Sequence, residues 1–484
     1  MLERSISALR LICFAACTFL GSAAVSAEAK PNIVYVLVDN WGWGDISIQG
    51  GVTPTPHVDA LARQGLRMTN FNVESQCTPT RAAIMTARLP IRSGTSRVPL
   101  GEPYGLTPWE YTLAELLSDA GYKTGLYGKW HLGDVEGRLP TDQGFDEWYG
   151  IKNTSDEAAH TSTPEFDIDA VTEDNLPYIW KGKRGEAPKK VEPYDLKARD
   201  RIDRRVTELS EKFIRDYAKE DAPFFLFTAF TQIHTPMGVH PDFKNVTHTG
   251  VYSDILAELD FNIGRIIDAL DKAGVANDTI LIVTGDNGTY PQGFRGGSNG
   301  PWRGGFTGYE GGLRTVGMIR WPGKTPAGAV SDEIFASLDW MPTLAAMIGE
   351  SGRVPKDRPL DGVDQSDFLL GKSKKSNREY VLMYIGDQLF SVKWRTLKVH
   401  YKTVEDLLSP IQSYLFPPMY DVSNDPGELN NIFMDSNTWV FRIINKILAE
   451  KKASMAEYPN VQPGEDFKGY GCEVGGKGDC SARQ

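Results

Sequence analysis

Four short, largely apolar runs restrict the fold of this chain more than any other feature. Residues 32–38, 123–127, 223–230 and 279–284 read as strands covered on both faces, and helical patterns lie between them at 56–64, 112–119, 203–218, 253–272 and 337–348. The expected class is therefore α/β, a large mixed and mostly parallel sheet between helices. Each run also ends in reactive residues. The first leads into Asp39-Asn40, the second into Gly128-Lys129-Trp130-His131, the third into Thr231-Gln-Ile-His234 and the fourth into Gly285-Asp286-Asn287-Gly288. In an open parallel sheet the carboxyl ends of the strands line the ligand crevice, so four distant segments deliver Asp, Asn, Lys and His to one edge.

The rest of the chain is organised around that sheet. Residues 154–205 are polar and charged and read as a long excursion over the surface. Residues 372–378, Lys-Ser-Lys-Lys-Ser-Asn-Arg, suit a linker, beyond which strand-like runs at 380–385 and 397–401 and a helix at 438–453 imply a smaller α+β domain with an antiparallel sheet. The expected boundaries are 1–27, 28–371 and 376–484.

At the amino end, Arg4 and Arg10 precede an apolar run over 11–25 and the sequence Val25-Ser26-Ala27. That order is the order of a cleaved export signal, and the run falls short of the roughly 20 residues that a spanning helix needs. A secreted or periplasmic protein without stable membrane insertion is expected. Of five cysteines, Cys13 and Cys17 leave with the signal, and Cys472 and Cys480 lie close enough in a Gly-rich tail to pair. Cys77 is then left over in an oxidising compartment, where a thiol is a hazard unless it is buried, metal-bound or converted. The net charge of −11 argues against nucleic acid as a partner, while a local basic pocket can still receive an anion.

Asp39, Asn40, Asp286 and Asn287 offer only oxygen donors, which suits Ca²⁺, or secondarily Mg²⁺, and not Zn²⁺. The seven histidines include no His-x-x-x-His pair. Lys129, His131 and His234 suit an anion and proton transfer. Cys77-Thr-Pro-Thr-Arg81 stands just before a helix expected over 81–87, where the helix's positive end and Arg81 both favour a negative substrate.

These residues resemble the type I sulfatases of the alkaline phosphatase superfamily, close to the arylsulfatase group. Cys77-Thr-Pro-Thr-Arg81 with Ala82-Ala-Ile-Met-Thr-Ala-Arg88 is similar to their signature for oxidation of cysteine to formylglycine, and residues 121–133, Gly-Tyr-Lys-Thr-Gly-Leu-Tyr-Gly-Lys-Trp-His-Leu-Gly, to their second signature. The likeness continues through Thr55-Pro-His-Val-Asp59, Tyr309-Glu-Gly-Gly312 and residues 420–428. It implies a formylglycine hydrate made from Cys77 by a transient formylglycine-generating enzyme, beside Ca²⁺ held by Asp39, Asn40, Asp286, Asn287 and the modified Cys77. It further implies Asp286 as base for attack on sulfur, Arg81 and Lys129 on the hydrate oxygens, Lys129 also on the substrate, His234 by the leaving oxygen as acid or sulfate ligand, and His131 as proton acceptor when sulfate is expelled. The substrate would be a small-molecule or carbohydrate sulfate ester.

Two positions depart from the family pattern. The usual second aspartate is Asn40 here, and the lysine expected shortly before Tyr309 is absent, so Arg303, the nearest cation, is expected to bind the substrate's sulfate in its place. Two other readings use the same residues. A phosphonate or phosphate ester hydrolase would need a second metal and further Asp/His ligands, and a silent binder of sulfated glycans would not need Cys77, Arg81, Lys129, His131 and His234 together.

Overall fold

In the computed structural model, residues 29–162, 176–291 and 296–470 are described, and the described residues from 31 onward form one compact unit. The expected export signal and the Cys472–Cys480 pair lie outside the described residues. None of the described helices is long and apolar enough to cross a membrane.

Ten strands make the main sheet: β1 Asn32–Val38, β2 Leu66–Met68, β3 Lys123–Lys129, β4 Glu147–Ile151, β5 Tyr178–Lys183, β6 Lys189–Pro193, β7 Phe224–Ala229, β8 Thr279–Gly285, β9 Gly317–Arg320 and β10 Ala329–Ser331. Their order is β10-β2-β9-β8-β1-β7-β3-β4-β5-β6. The five central strands β8-β1-β7-β3-β4 run parallel, and antiparallel neighbours close on at β9, β5 and β6. All four runs read from the sequence are central strands.

Both faces of the sheet are covered, which is why its strands lack polar alternation. Along β1, Ile33, Tyr35 and Leu37 enter one apolar cluster while Val34, Val36 and Val38 enter the other. The first cluster receives helices α2 Cys77–Thr86, α3 Leu113–Asp119 and α6 Trp340–Met347; the second receives α1 Pro56–Gln64, α4 Ile202–Tyr217 and α5 Val251–Ala273. Each large side chain so buried contributes about 1.5–3 kcal/mol. Thr112 and Glu115 form a reciprocal cap at the start of α3, worth about 1 kcal/mol.

Three expectations are revised. The stretch 154–205 is not merely a surface excursion: β5 and β6 extend the sheet, and Arg199 is fully buried against Asp203 and Thr231. Residues 372–378 do not form a slack linker, because Arg378 ion-pairs with buried Asp339 while Ser376 and Asn377 bond Ile334 and Gln365. The helix expected over 81–87 begins four residues earlier, at Cys77 itself.

The C-terminal part carries a separate four-stranded antiparallel sheet, β11 Tyr380–Ile385, β12 Gln388–Trp394, β13 Leu397–His400 and β14 Met419–Asp421, and a long helix α7 Val440–Glu457. Its apolar face, with Leu382, Val392, Val399 and Ile444, packs against Ala83, Leu89 and Ile91 from the region of α2. The helix that begins at Cys77 is thereby clamped between two sheets, and all ten of its residues are buried.

Candidate active site

The carboxyl ends of β1, β3, β7 and β8 converge on the first turn of α2. Cys77 is the first residue of that helix, and its Sγ lies 3.2 Å from Asp39 Oδ1 and 3.7 Å from Asn40 Oδ1. One turn on, Arg81 sends Nε and Nη2 to Asp286 Oδ2 at 3.0 and 2.8 Å, and Nη1 to the Lys129 carbonyl at 2.6 Å. Lys129 Nζ donates to Asp39 Oδ2 at 2.7 Å. The backbone N–H of Asn40 donates to Asp286 Oδ1, and Asn287 Nδ2 to Asn40 Oδ1.

Local geometry explains several residue types. Asn40 has φ +65°, a left-handed conformation that Asn and Asp tolerate better than most residues. Gly128, just before Lys129, has φ +116°, and a Cβ there would stand 1.7 Å from the Ala229 carbonyl oxygen. Without that glycine β3 could not close on β7 and still deliver Lys129.

The electrostatics follow from burial. Removal from water pushes the Asp39 carboxyl up, but Lys129, His234 and Arg81 outweigh it and hold the group below the ordinary carboxylate range. Burial and the nearby Asp39 charge push Asp286 up to about 6 against Arg81 and Lys129. The Cys77 thiol is raised well above its usual value by burial and by both carboxylates, so it is a neutral thiol and not a thiolate nucleophile. Burial and the cations Lys129 and Arg81 hold His131 well below the ordinary imidazole range. Its Nδ1 is buried without a partner. His234 Nδ1 lies 2.6 Å from the Thr235 carbonyl, which assigns the proton to Nδ1 and turns Nε2 towards Thr154 at 3.5 Å.

The residues fit a hard cation. Asp39, Asn40, Asp286 and Asn287 are all buried oxygen donors, and Asn287 Oδ1 has no hydrogen-bond partner. Taking one atom from each acidic, thiol or imidazole side chain, one group among the described residues could hold an ion: Asp39, Cys77 and His234, within 4.8 Å of one another. That group brings in His234, which the sequence reading had kept for the substrate.

Cys77, His131 and His234 open into a cavity of about 770 Å³. Arg303 is not brought there. Its guanidinium pairs with Glu405 at 2.5 Å, donates to the Glu428 carbonyl at 3.2 Å and lies 4.2 Å from the centre of the Tyr309 ring. Trp180 lines this cavity, whereas Trp43 and Trp302 pack edge-on against each other away from it.

Sequence reasoning missed Thr154 and Asp156. Thr154 Oγ1 stands 3.5 Å from both Lys129 Nζ and His234 Nε2, and Asp156 Oδ1 lies 3.6 Å from His234 Nδ1. Both follow β4, whose Glu-Trp-Tyr-Gly-Ile sequence gives a weaker strand signal than the other four.

A sulfatase family profile matches residues 31–350. The chain belongs to the sulfatase family. It is 34% identical over 441 residues to arylsulfatase A of Homo sapiens, covering 85% of each chain. It is 33% identical over 404 residues to N-acetylgalactosamine-6-sulfatase of Canis lupus familiaris, covering 79% of this chain and 74% of that one. Among solved structures it is similar to the PsFucS1 sulfatase from Pseudoalteromonas sp., with a TM-score of 0.84 and 31% identity over 90% of this chain and 92% of that chain. The fold and the family expected from the motifs are thus both found.

Proposed function

We propose that this sulfuric ester hydrolase cleaves sulfate monoesters, in the manner of an arylsulfatase, at a formylglycine derived from Cys77 beside Ca²⁺, releasing inorganic sulfate and an alcohol or phenol. The observation that carries the reading is the placement of Cys77: buried at the start of a clamped helix, facing a cavity, with its thiol chemistry suppressed and His131, Lys129 and Arg81 around it. A site built around an inert thiol makes sense when that thiol is a precursor. Converted to formylglycine, the residue would supply a geminal diol, with one hydroxyl for attack on sulfur and a second for release of sulfate.

Charge supports the ion. Asp39 and Asp286 are matched one for one by Lys129 and Arg81, so the buried layer behind Cys77 is close to neutral by itself. Held by Asp39, Asn40, Asp286 and Asn287 with residue 77, a dication would supply the positive field that an anionic ester needs. Around it, Arg81 and Lys129 orient the hydroxyls of residue 77 and Asp286 accepts a proton as base for attack. His234 faces the leaving oxygen, and neutral His131 takes the proton that accompanies sulfate release. Among the described residues there is one compact group of metal-ligating side chains, which favours this reading over a two-metal phosphate or phosphonate hydrolase. Export to the cell exterior or periplasm belongs to the same proposal, as does a transient encounter with a formylglycine-generating enzyme.

The test is made on protein produced beside such an enzyme. Mass spectrometry of the peptide containing residue 77 should show an aldehyde, and 4-nitrophenyl sulfate should be turned over. Chelation should remove the activity and Ca²⁺ restore it. Full activity with only unmodified thiol at residue 77, or in metal-free protein, would overturn the reading.

A further inference from the structure

The cavity above Cys77 has polar groups that the proposed chemistry leaves unused. Lys152, one residue past the end of β4, extends its ammonium over the Trp180 ring, 4.0 Å from the ring centre, and donates to the backbone carbonyl of Asp134 at 2.9 Å. No carboxylate of the described residues lies within ion-pair distance of it, and burial holds it below the ordinary lysine range although the charges of Asp134 and Glu157 nearby oppose the shift. Asp134 accepts from Asn153 through Oδ2 at 3.3 Å, and its Oδ1 has no partner. Asp134, Lys152, Asn153 and Trp180 all line the cavity that holds Cys77. So do Leu100 and Leu407, both exposed.

A donor, an acceptor and an amide held together on one cavity, with apolar side chains at its mouth, have the composition that a pyranose requires. A sugar ring offers hydroxyls that both donate and accept around its edge and C–H groups on its faces. An aryl or steroid leaving group has no comparable hydroxyl edge, and its binding would cover the remaining N–H donors of Lys152 and the acceptor capacity of Asp134 without offering them hydrogen bonds. Resting on the sulfate-ester reading of the site, we propose that the leaving alcohol is a sugar, and that Asp134 and Lys152, supported by Asn153 and Trp180, bind its hydroxyls and set the selectivity of the enzyme. The assignment concerns substrate binding alone; neither residue touches the reacting atoms.

The experiment compares wild type with Lys152→Met, Lys152→Arg, Asp134→Ala and Asp134→Asn on 4-nitrophenyl sulfate and on a panel of monosaccharide sulfates. Expected are a higher kcat/KM on at least one sugar sulfate than on the aryl ester, and a fall of roughly 10–100-fold in that ratio for Lys152→Met and Asp134→Ala. The change should lie mainly in KM, with Lys152→Arg and Asp134→Asn intermediate. A ratio that stays constant or rises, in variants whose melting temperature matches wild type, overturns the proposal. Calorimetric titration of the sugar sulfates into Cys77→Ala protein separates recognition from turnover. If no ester is hydrolysed but Cys77→Ala protein binds a sugar sulfate and loses about tenfold in affinity with Lys152→Met, the sulfatase reading fails and the sugar wall stands. If aryl sulfate is hydrolysed and no sugar sulfate binds, the wall fails and the sulfatase reading stands.

Discussion

Two clusters of buried charge in this molecule share their ingredients and differ in their surroundings. At the strand ends, Asp39 and Asp286 meet Lys129 and Arg81. Beneath the C-terminal sheet, Glu310 meets Arg314, Lys393 and Lys398 at 2.5, 2.7 and 3.0 Å, and Glu428 meets Lys398 and His400 at 3.3 and 2.5 Å. Both clusters perturb their members. In the second, burial opposes ionisation of Glu310, but Lys393, Lys398 and Arg314 outweigh it and hold the group well below the ordinary range. Burial and, after it, the cations Arg314 and Lys398 push Lys393 down to about 7 despite Glu310. The charged residues of both clusters stand behind the wall of the cavity, but Asp39 lies 3.2 Å from Cys77, which opens into it, whereas the second cluster ties the Tyr309-Glu-Gly-Gly312 turn to β12 and β13. Perturbed buried charge therefore marks a place where the fold fixes ions, and it marks chemistry only where those ions touch a reactive side chain that opens onto space for a ligand.

Substitutions can break or sharpen that contrast. The largest effect is expected for Cys77→Ala, which should lower turnover of 4-nitrophenyl sulfate by roughly 10³-fold or more with little change in melting temperature, since a buried thiol becomes a methyl group. Comparable residual activity would place the reaction elsewhere.

Asp39→Ala and Asp286→Ala should combine loss of Ca²⁺-dependent activity with destabilisation of about 3–5 kcal/mol, because Lys129 or Arg81 is left buried without its partner. Asn40→Ala should do far less to the metal, and Asn40→Asp, which tolerates φ +65°, should tighten it. Metal titration followed by calorimetry reads both.

Glu310→Gln should show the opposite profile, with stability lost by a similar few kcal/mol and kcat per folded molecule little altered. Its pH dependence has a definite sign. The folded-state pKa of Glu310 lies below the unfolded value near 4.5, so its contribution is complete above that pH and is lost as acid protonates the unfolded state first. Urea melts of wild type at falling pH should lose stability below about pH 4.5, and Glu310→Gln should lose less. A fall in kcat as large as that of Asp286→Ala would erase the distinction between the two clusters.

The smallest effect is expected for Arg303→Ala. Its guanidinium is partly exposed and engaged with Glu405 and Tyr309, an ion pair worth about 0–1 kcal/mol. Turnover should change less than tenfold. A loss of roughly 10²–10³-fold would show that Arg303 leaves Glu405 for the sulfate and supplies the cation that the family's lysine provides.

Much of this was readable in advance, for reasons that are local. A strand buried on both faces must be apolar throughout, so β1, β7 and β8 declared themselves, and the residues that follow a parallel strand must arrive at the ligand edge, so Asp39, His234 and Asp286 were found from position alone. The Cys-Thr-Pro-Thr-Arg sequence singled out Cys77 and Arg81 beside a helix, but only the structure starts that helix at Cys77, so that the two residues, i and i+4, share a face. Thr154 and Asp156 escaped because β4 carries Glu147 and Gly150 and presents no continuous apolar run. What the sequence by itself determined was which residues reach the edge of the sheet. Only the tertiary structure decided how those residues are paired and which of the remaining charges face the cavity. Arg303 and Lys152 look alike in one dimension, each a cation near the motifs, yet one is held by Glu405 on the C-terminal part and the other stands over Trp180 inside the site. Their partners lie 102 and 28 residues away along the chain, and such encounters depend on the packing of separate elements, which no local pattern encodes.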